Sequence, residues 1–236
     1  LGGTVCVKII FSDKALETVY GGIFADGAAV PEGKELTSYL LNNGYIDTAY
    51  TTVKSADDWA KLTAKVVSGG NGKMSVGSYA IVFEGVENIV SGKYVLTYKK
   101  QLSDSDGEAT NLNKFVVNKR ELKIDWGTTS FEYNGEKQLP QPTISGWTCD
   151  YDYAADGVYE FINDATGEAL KIRVTLNGDF VSVGGHKYTV EIVDNGNYEL
   201  DPVNATCAVS ITGGILGGGT VVQQVGLAGW ALGLII

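Results

Sequence analysis

Apolar and polar residues alternate with a period of two along several short stretches of the chain. Residues 4–11 (TVCVKIIF), 122–126 (LKIDW) and 207–211 (CAVSI) place every second side chain on one face, a pattern typical of half-buried β-strands. Glycine is abundant (31 residues) and tyrosine frequent (13), whereas proline is scarce (4). The pattern predicts an all-β chain of short, mostly antiparallel strands joined by glycine and asparagine turns.

One order of short motifs occurs twice along the chain, and self-similarity of this kind indicates tandem modules. The first pass contains Tyr20-Gly21, Val76-Gly77-Ser78-Tyr79, Gly92-Lys93-Tyr94 and the strand-like residues 115–117 (FVV). The second pass contains residues 131–135 (FEYNG), 183–188 (VGGHKY), 196–198 (GNY) and 207–211. Residues 115–125 (FVVNKRELKID) join the two passes with almost no linker, so we expect modules placed end to end.

We therefore predict a first β module at residues 1–119 and a second at 120–212, each a small sandwich or β-grasp-like sheet. The central part of the first module, residues 27–59, fits the repeated pattern poorly. A short helix is predicted there after Ser55, because Ser-Ala-Asp-Asp places acidic residues at a helix start.

The motifs Val19-Tyr20-Gly21 and FEYNG at 131–135, with the Val-Gly turns at 76 and 183, resemble the MBG-type repeats (with YDG and YGX variants) of bacterial surface proteins. Asn197-Tyr198 and the junction at residues 118–122 extend the resemblance over both modules. It implies a non-catalytic extracellular repeat that acts as a stalk or adhesion module, and it supplies no catalytic or ligand residues.

Composition narrows the classes of partner and cofactor. Aspartate and glutamate outnumber lysine and arginine by 28 to 18, giving a formal net charge of −10, which argues against a nucleic-acid partner. Cys6, Cys149 and Cys207 have no zinc-site spacing, and only one histidine is present, so no metal or other cofactor is predicted. Cys149 and Cys207 either form a disulfide or remain two buried thiols.

A catalytic site is not predicted. His186, the single histidine, lies in the VGGHKY motif without a nucleophile or metal motif nearby, so we expect an exposed turn residue. Asp150, Asp152, Asp156 and Glu160 alternate with tyrosines, which favours a solvated face over the acid pair of a glycoside hydrolase. The acidic residues also lack the spacing of a calcium-binding loop.

A carbohydrate-binding module is the main alternative, because aromatic rings can stack on sugars. Trp147, Tyr151 and Tyr153 are the candidate ligand-binding residues. Trp126 follows the alternating pattern of a strand and is expected in the core, and Trp147 can equally serve as a buried loop anchor. The expected partners are a surface glycan or a protein of a host or neighbouring cell.

Residues 213–236 form a separate region. Residues 213–219 (GGILGGG) read as a flexible linker, and 225–236 (VGLAGWALGLII) are an uncharged apolar run that is shorter than the roughly 20 residues of a membrane span. We expect either the beginning of a transmembrane anchor or a disordered or packed tail. With the anchor, the protein is extracellular and attached to the cell surface.

Overall fold

The computed structural model describes residues 3–67, 74–99, 113–150 and 155–213. It divides into two compact units, the first extending to Arg120 and the second beginning at Glu121. Both units are built mainly of strands, which confirms the predicted all-β class. Residues 214–236, with the predicted linker and apolar tail, lie outside the described residues.

The described residues of the first unit form six strands, two helices and a short 3₁₀ turn. The strands are β1 (Val5–Lys8), β2 (Leu16–Val19), β3 (Thr63–Val67), β4 (Gly77–Glu84), β5 (Tyr94–Thr97) and β6 (Asn113–Asn118), and the helices are α1 (Gly33–Asn42) and α2 (Ala56–Trp59), with the 3₁₀ turn at Val86–Asn88. Four strands form a sheet in the order β2-β6-β4-β3, and β1 pairs with β5. The pairs β2–β6 and β1–β5 are parallel, and the other two are antiparallel.

The core of the first unit lies between the four-stranded sheet and the segments that cross it. Alternation in β2 and β6 turns Leu16 and Phe115 to the same face, where they are paired in register and almost fully buried. The fully or nearly buried side chains include Ile9, Ile10, Leu36, Leu40, Leu62 and Ile81.

Helix α1 was not predicted from the sequence. Leu36 and Leu40 lie one turn apart and are both buried, so the helix presents one apolar stripe to the sheet. Within this stripe the Thr37 hydroxyl accepts a hydrogen bond from the backbone N–H of Ala64 in β3 (2.8 Å). The helix stops before Asn43 and Gly44, and Gly44 has the positive φ (72°) typical of helix C-termini.

The predicted helix after Ser55 is confirmed as α2. The Ser55 hydroxyl accepts a hydrogen bond from the backbone N–H of Asp58 (3.0 Å), as an N-cap residue does. The helix carries Trp59 into the core, where its ring meets Phe83 edge-on at a centroid distance of 5.9 Å. The central section that departs from the repeated motifs therefore contains both helices of the described residues.

Ten strands lie in the described part of the second unit. They are β7 (Arg120–Leu122), β8 (Ile124–Asp125), β9 (Ser130–Glu132), β10 (Thr143–Ile144), β11 (Trp147–Thr148), β12 (Gly157–Asn163), β13 (Ala169–Asn177), β14 (Gly184–Ile192), β15 (Tyr198–Leu200) and β16 (Thr206–Thr212). Six form a sheet in the order β11-β12-β13-β14-β16-β9, and β7–β15 and β8–β10 form two small pairs. In β13, Leu170, Ile172 and Val174 are buried while the residues between them are exposed, so one face of the sheet carries the core.

The two units use the same pairing scheme. In each, an opening strand (β1 or β7) pairs with the strand that begins at the later tyrosine, Tyr94 or Tyr198. A second short strand (β2 or β9) then pairs in parallel with the last strand of the unit (β6 or β16), which in turn pairs antiparallel with β4 or β14.

Backbone hydrogen bonds and glycine conformations at matching positions of the two units also agree. The backbone N–H of Tyr20 donates to the carbonyl of Asn118 (2.9 Å), and that of Tyr133 donates to the carbonyl of Thr212 (2.8 Å). Strands β4 and β14 each begin at a glycine with a strongly positive φ, 157° at Gly77 and 143° at Gly184, a region that favours glycine. The motifs that recur in the sequence therefore occupy matching places in the two pairing schemes.

Candidate functional site

Trp147 is a packed residue of strand β11. It is only 9% exposed, and its ring meets Tyr198 edge-on at a centroid distance of 5.3 Å. Tyr198 in turn donates its hydroxyl hydrogen to Glu168 Oε2 (2.8 Å). This burial fits the loop-anchor alternative and leaves little ring surface for a sugar. Tyr151 and Tyr153, the other two candidate ligand-binding residues, lie outside the described residues.

The acidic residues near Trp147 take part in the fold of the sheet. Asp156 Oδ1 accepts a hydrogen bond from the backbone N–H of Leu176 (2.6 Å) and so ties the start of β12 to β13. Glu160 stands opposite Lys171 across the same two strands. Asp152 lies outside the described residues. An acid pair facing a cleft is thus not formed by Asp156 and Glu160.

Cys149 and Cys207 are both free thiols, so the disulfide alternative is not realised in this structure. Cys207 is buried in β16, and Cys149 is half-buried. Burial raises the pKa of both thiols, and the carboxylates of Asp150 and Glu160 raise the pKa of Cys149 further. Neither thiol has the lowered pKa of a reactive nucleophile.

The expectation of an exposed turn position for His186 is wrong. His186 belongs to β14, and its side chain is only 8% exposed. The ring stacks on Phe180 at a centroid distance of 5.0 Å, and Nε2 donates to the carbonyl oxygen of Ser182 (2.8 Å). The imidazole is enclosed because the preceding hairpin folds back over it. Its role here is to hold that hairpin.

Asp179 organises the same hairpin. Its carboxylate accepts hydrogen bonds from the Ser182 hydroxyl (2.6 Å) and from the backbone N–H groups of Ser182 and Val181 (both 2.9 Å). These bonds, those from Ser182 foremost, lower the pKa of Asp179 to about 2. The serine hydroxyl is thus bonded to the carboxylate, and the histidine contacts a backbone carbonyl. This arrangement lacks the serine–histidine hydrogen bond that an activated nucleophile requires.

A row of aromatic rings in the first unit was not anticipated from the sequence. Phe24 stacks on Tyr39 (5.4 Å between centroids), Tyr39 stacks on Tyr45 (5.9 Å), and Lys14 Nζ lies 4.4 Å from the centre of the Tyr45 ring. Burial and the neighbouring Tyr39 raise the pKa of Tyr45. The irregular spacing of these residues follows neither a helix nor a strand period, so no sequence pattern marks the row.

A cavity of about 420 Å³ opens in the first unit between the start of α1 and strand β3. Buried Leu36, Ala64 and Phe115 contribute to its lining, and Glu32 and Lys65 also line it. Its volume lies within the range of small-molecule and peptide pockets. A second depression, of about 490 Å³, lies between α1 and α2 and is lined by Lys34, Lys54 and Trp59 among others.

The described ranges contain no cluster of three or more histidine, cysteine, aspartate or glutamate side chains arranged to hold a metal ion. Neither helix in those ranges has the length and hydropathy needed to cross a bilayer. No protein-family model matches the chain, and no curated protein or solved structure matches it either.

Proposed function

We propose that the chain is a non-catalytic, extracellular repeat region of a bacterial cell-surface protein, acting as a stalk or adhesion module. The observation that carries the proposal is the shared pairing scheme of two successive β units, in which equivalent tyrosines and glycines take equivalent places. Two units of one design that adjoin at Arg120 and Glu121 suit a tandem array.

The use of the chain's polar groups supports a structural role. Asp179, Ser182 and His186 are engaged with one another and with the backbone of one hairpin, and Asp156 ties two strands together. A catalytic constellation instead leaves a nucleophile or a proton donor directed at a substrate. Asp179 and His186, residue types that enzymes often use for proton transfer, stabilise a turn here.

The partner proposed for an adhesive role is a surface glycan or a protein of a host or neighbouring cell. The carbohydrate-binding alternative loses support from the tryptophans of the described ranges. Trp59 and Trp147 are buried, and Trp126 Nε1 donates to the backbone carbonyl of Asn204 (3.0 Å) while its ring packs against Tyr188. A protein partner is therefore favoured over a sugar bound through tryptophan.

Cys6 allows a direct test of the location, because it is exposed while Cys207 is buried. Intact cells that produce the protein are reduced briefly and treated with a membrane-impermeant maleimide. Labelling of the chain on intact cells, with loss of the signal in Cys6→Ser, is the expected result. Labelling that appears only after lysis would place the chain inside the cell and overturn the proposal.

A further inference from the structure

Four asparagine–glycine steps lie in the described residues, and they differ in how the fold holds them. They are 43–44, 134–135, 177–178 and 195–196, and a fifth, 71–72, lies outside those residues. In such a step the backbone nitrogen of the glycine can attack the side-chain carbonyl carbon of the asparagine, because glycine has no Cβ atom to hinder the approach. The reaction needs a free glycine nitrogen, a side-chain nitrogen that can leave as ammonia, and a backbone that can bend.

Two of the steps are restrained by the secondary structure around them. At the end of α1, Asn43 Nδ2 donates to the carbonyl of Tyr39 (2.9 Å), and the N–H of Gly44 donates to another carbonyl of the helix (3.3 Å). Asn177 is paired in register with Lys187 at the end of β13, so the strand ladder holds its backbone extended. In both steps the reaction must first break bonds of the fold.

Asn195 is restrained through its side-chain amide. Its Nδ2 donates to Glu168 Oε1 (3.0 Å) and to the carbonyl of Ala169 (3.1 Å). Departure of this nitrogen as ammonia requires the loss of both hydrogen bonds, and that loss raises the barrier.

Asn134 combines the features that favour the reaction. It is exposed in the segment that follows β9, and within the described ranges neither its Nδ2 nor the N–H of Gly135 has a hydrogen-bond partner. Its Oδ1 accepts a hydrogen bond from the backbone N–H of Glu136 (2.9 Å). Negative charge develops on this oxygen when the glycine nitrogen attacks the adjacent carbon, so the Glu136 N–H stabilises the tetrahedral intermediate as an oxyanion-hole donor does.

We propose that Asn134 is a modification site, at which the folded protein converts asparagine to aspartate and isoaspartate through a succinimide. The nitrogen of Gly135 gives its proton to the solvent and bonds to Asn134 Cγ, while the Cγ–Nδ2 bond breaks and ammonia leaves with a proton from the solvent. Water then adds to one succinimide carbonyl and breaks its bond to the ring nitrogen. Opening at Cγ gives aspartate, and opening at the main-chain carbonyl gives isoaspartate. Water is the one co-reactant.

The conversion changes the end of strand β9. Both products add a negative charge between Glu132 and Glu136. The isoaspartyl product also lengthens the main chain by one carbon directly after Tyr133, whose N–H donates to the carbonyl of Thr212 (2.8 Å). We expect this hydrogen bond to weaken, so that the end of the parallel pair β9–β16 opens more often.

The first test is peptide mapping by mass spectrometry after the full chain has been incubated in mildly alkaline buffer made with heavy-oxygen water. Each conversion leaves a carboxylate that carries one heavy oxygen atom, so only conversion during the incubation is counted. Asn134 should convert about tenfold or more faster than the other three steps, because those steps must first break hydrogen bonds of the fold. Gly135→Ala should slow the conversion of Asn134 by about tenfold or more, because the added methyl group hinders the attacking nitrogen.

The same incubation in concentrated urea is the control. Unfolding removes the restraints on Asn43, Asn177 and Asn195, so the four steps should convert at similar rates there. This comparison uses the wild-type chain, and it remains decisive if Gly135→Ala fails to fold.

Hydrogen exchange of the peptide that contains Tyr133 tests the effect on β9. The isoaspartyl form, separated by chromatography, should exchange faster there than the unconverted chain. Asn134→Asp is the matched control, because it carries the added charge on an ordinary main chain, and it should exchange nearly as the unconverted chain does.

Three results would overturn the proposal. The first is equal conversion of the four steps in the folded chain, and the second is an unchanged rate in folded Gly135→Ala. The third is a preference for Asn134 that persists undiminished in urea, which would assign it to the neighbouring residues in sequence and not to the fold. Unchanged exchange in the isoaspartyl form would overturn the effect on β9.

Discussion

Replacement of Gly178 by alanine should destabilise the second unit more than any other glycine substitution in its turns. A Cβ atom at this position would lie 2.3 Å from His186 Nδ1, and the backbone φ of 130° disfavours any side chain. The substitution must therefore move an imidazole that is stacked on Phe180 and bonded to the Ser182 carbonyl.

The magnitude follows from these contacts. The unfavourable φ costs about 1 to 2 kcal/mol, the lost hydrogen bond about 1 kcal/mol, and the lost ring stacking about 1 kcal/mol. Gly178→Ala should thus lower the free energy of unfolding by about 3 to 4 kcal/mol. Gly167→Ala is the matched control, because its φ is also positive (69°) but no atom lies within 4 Å of the added methyl. Gly167→Ala should lower the free energy of unfolding only by the backbone strain.

The measurement is urea unfolding of the full chain. Hydrogen exchange of peptides from β13 and β14 monitors the unfolding, so that only the second unit is observed. In a His186→Ala background, Gly178→Ala should cost little more than the about 1 to 2 kcal/mol of backbone strain, because the contacts with Nδ1 and Cγ are removed and only the contact with the Cβ atom of residue 186 (3.2 Å) remains. The reasoning is refuted if Gly178→Ala costs no more than Gly167→Ala, or if its cost is the same with and without His186.

Three further outcomes are expected in the described parts of the chain. The buried Tyr188 hydroxyl has no hydrogen-bond partner among the described residues, so Tyr188→Phe should raise the free energy of unfolding by about 1 kcal/mol. Tyr198→Phe should lower it by a similar amount, because the bond to Glu168 is lost. Folding lowers the pKa of Asp179, so the stability that its ionised carboxylate gives the fold is present above its ordinary pKa and is lost as the pH falls from about 4 towards 2. Measured by thermal unfolding, Asp179→Asn should remove this pH-dependent loss of stability. Mass spectrometry should show iodoacetamide alkylating exposed Cys6 well before buried Cys207 in the native protein.

Strand alternation made much of the second unit predictable. One face of its large sheet is exposed, so burial follows the period of two that a reader can count in residues 207–211. The parallel pairs were not predictable, because Leu16 and Phe115 meet across almost a hundred residues and no local pattern records such pairing. The predicted antiparallel preference holds for most pairs, and β1–β5, β2–β6 and β9–β16 depart from it.

The missed features share a physical cause. Helix α1 begins at Gly33, whose φ of 57° and intrinsic preference argue against a helix start. Tertiary contacts, among them the burial of Leu36 and Leu40, stabilise the helix. His186 was assigned to a turn because the glycines before it suggest one. The turn actually lies earlier, where Phe180 adopts a left-handed conformation (φ 56°) next to the hydrogen-bonded Asp179. The cavity depends on where α1 lies against β3, which sequence spacing does not contain.

The contrast between the units shows where their functions can differ. The residues that recur in sequence are those that fix the shared pairing, such as Gly77 and Gly184, whereas helices α1 and α2, which lie between β2 and β3, have no counterpart in the described residues of the second unit. At the corresponding place the second unit adds β12 and β11 beside β13, and the first unit packs α1 against β3. A repeat that keeps its frame and changes its middle can alter what it binds without altering how it folds.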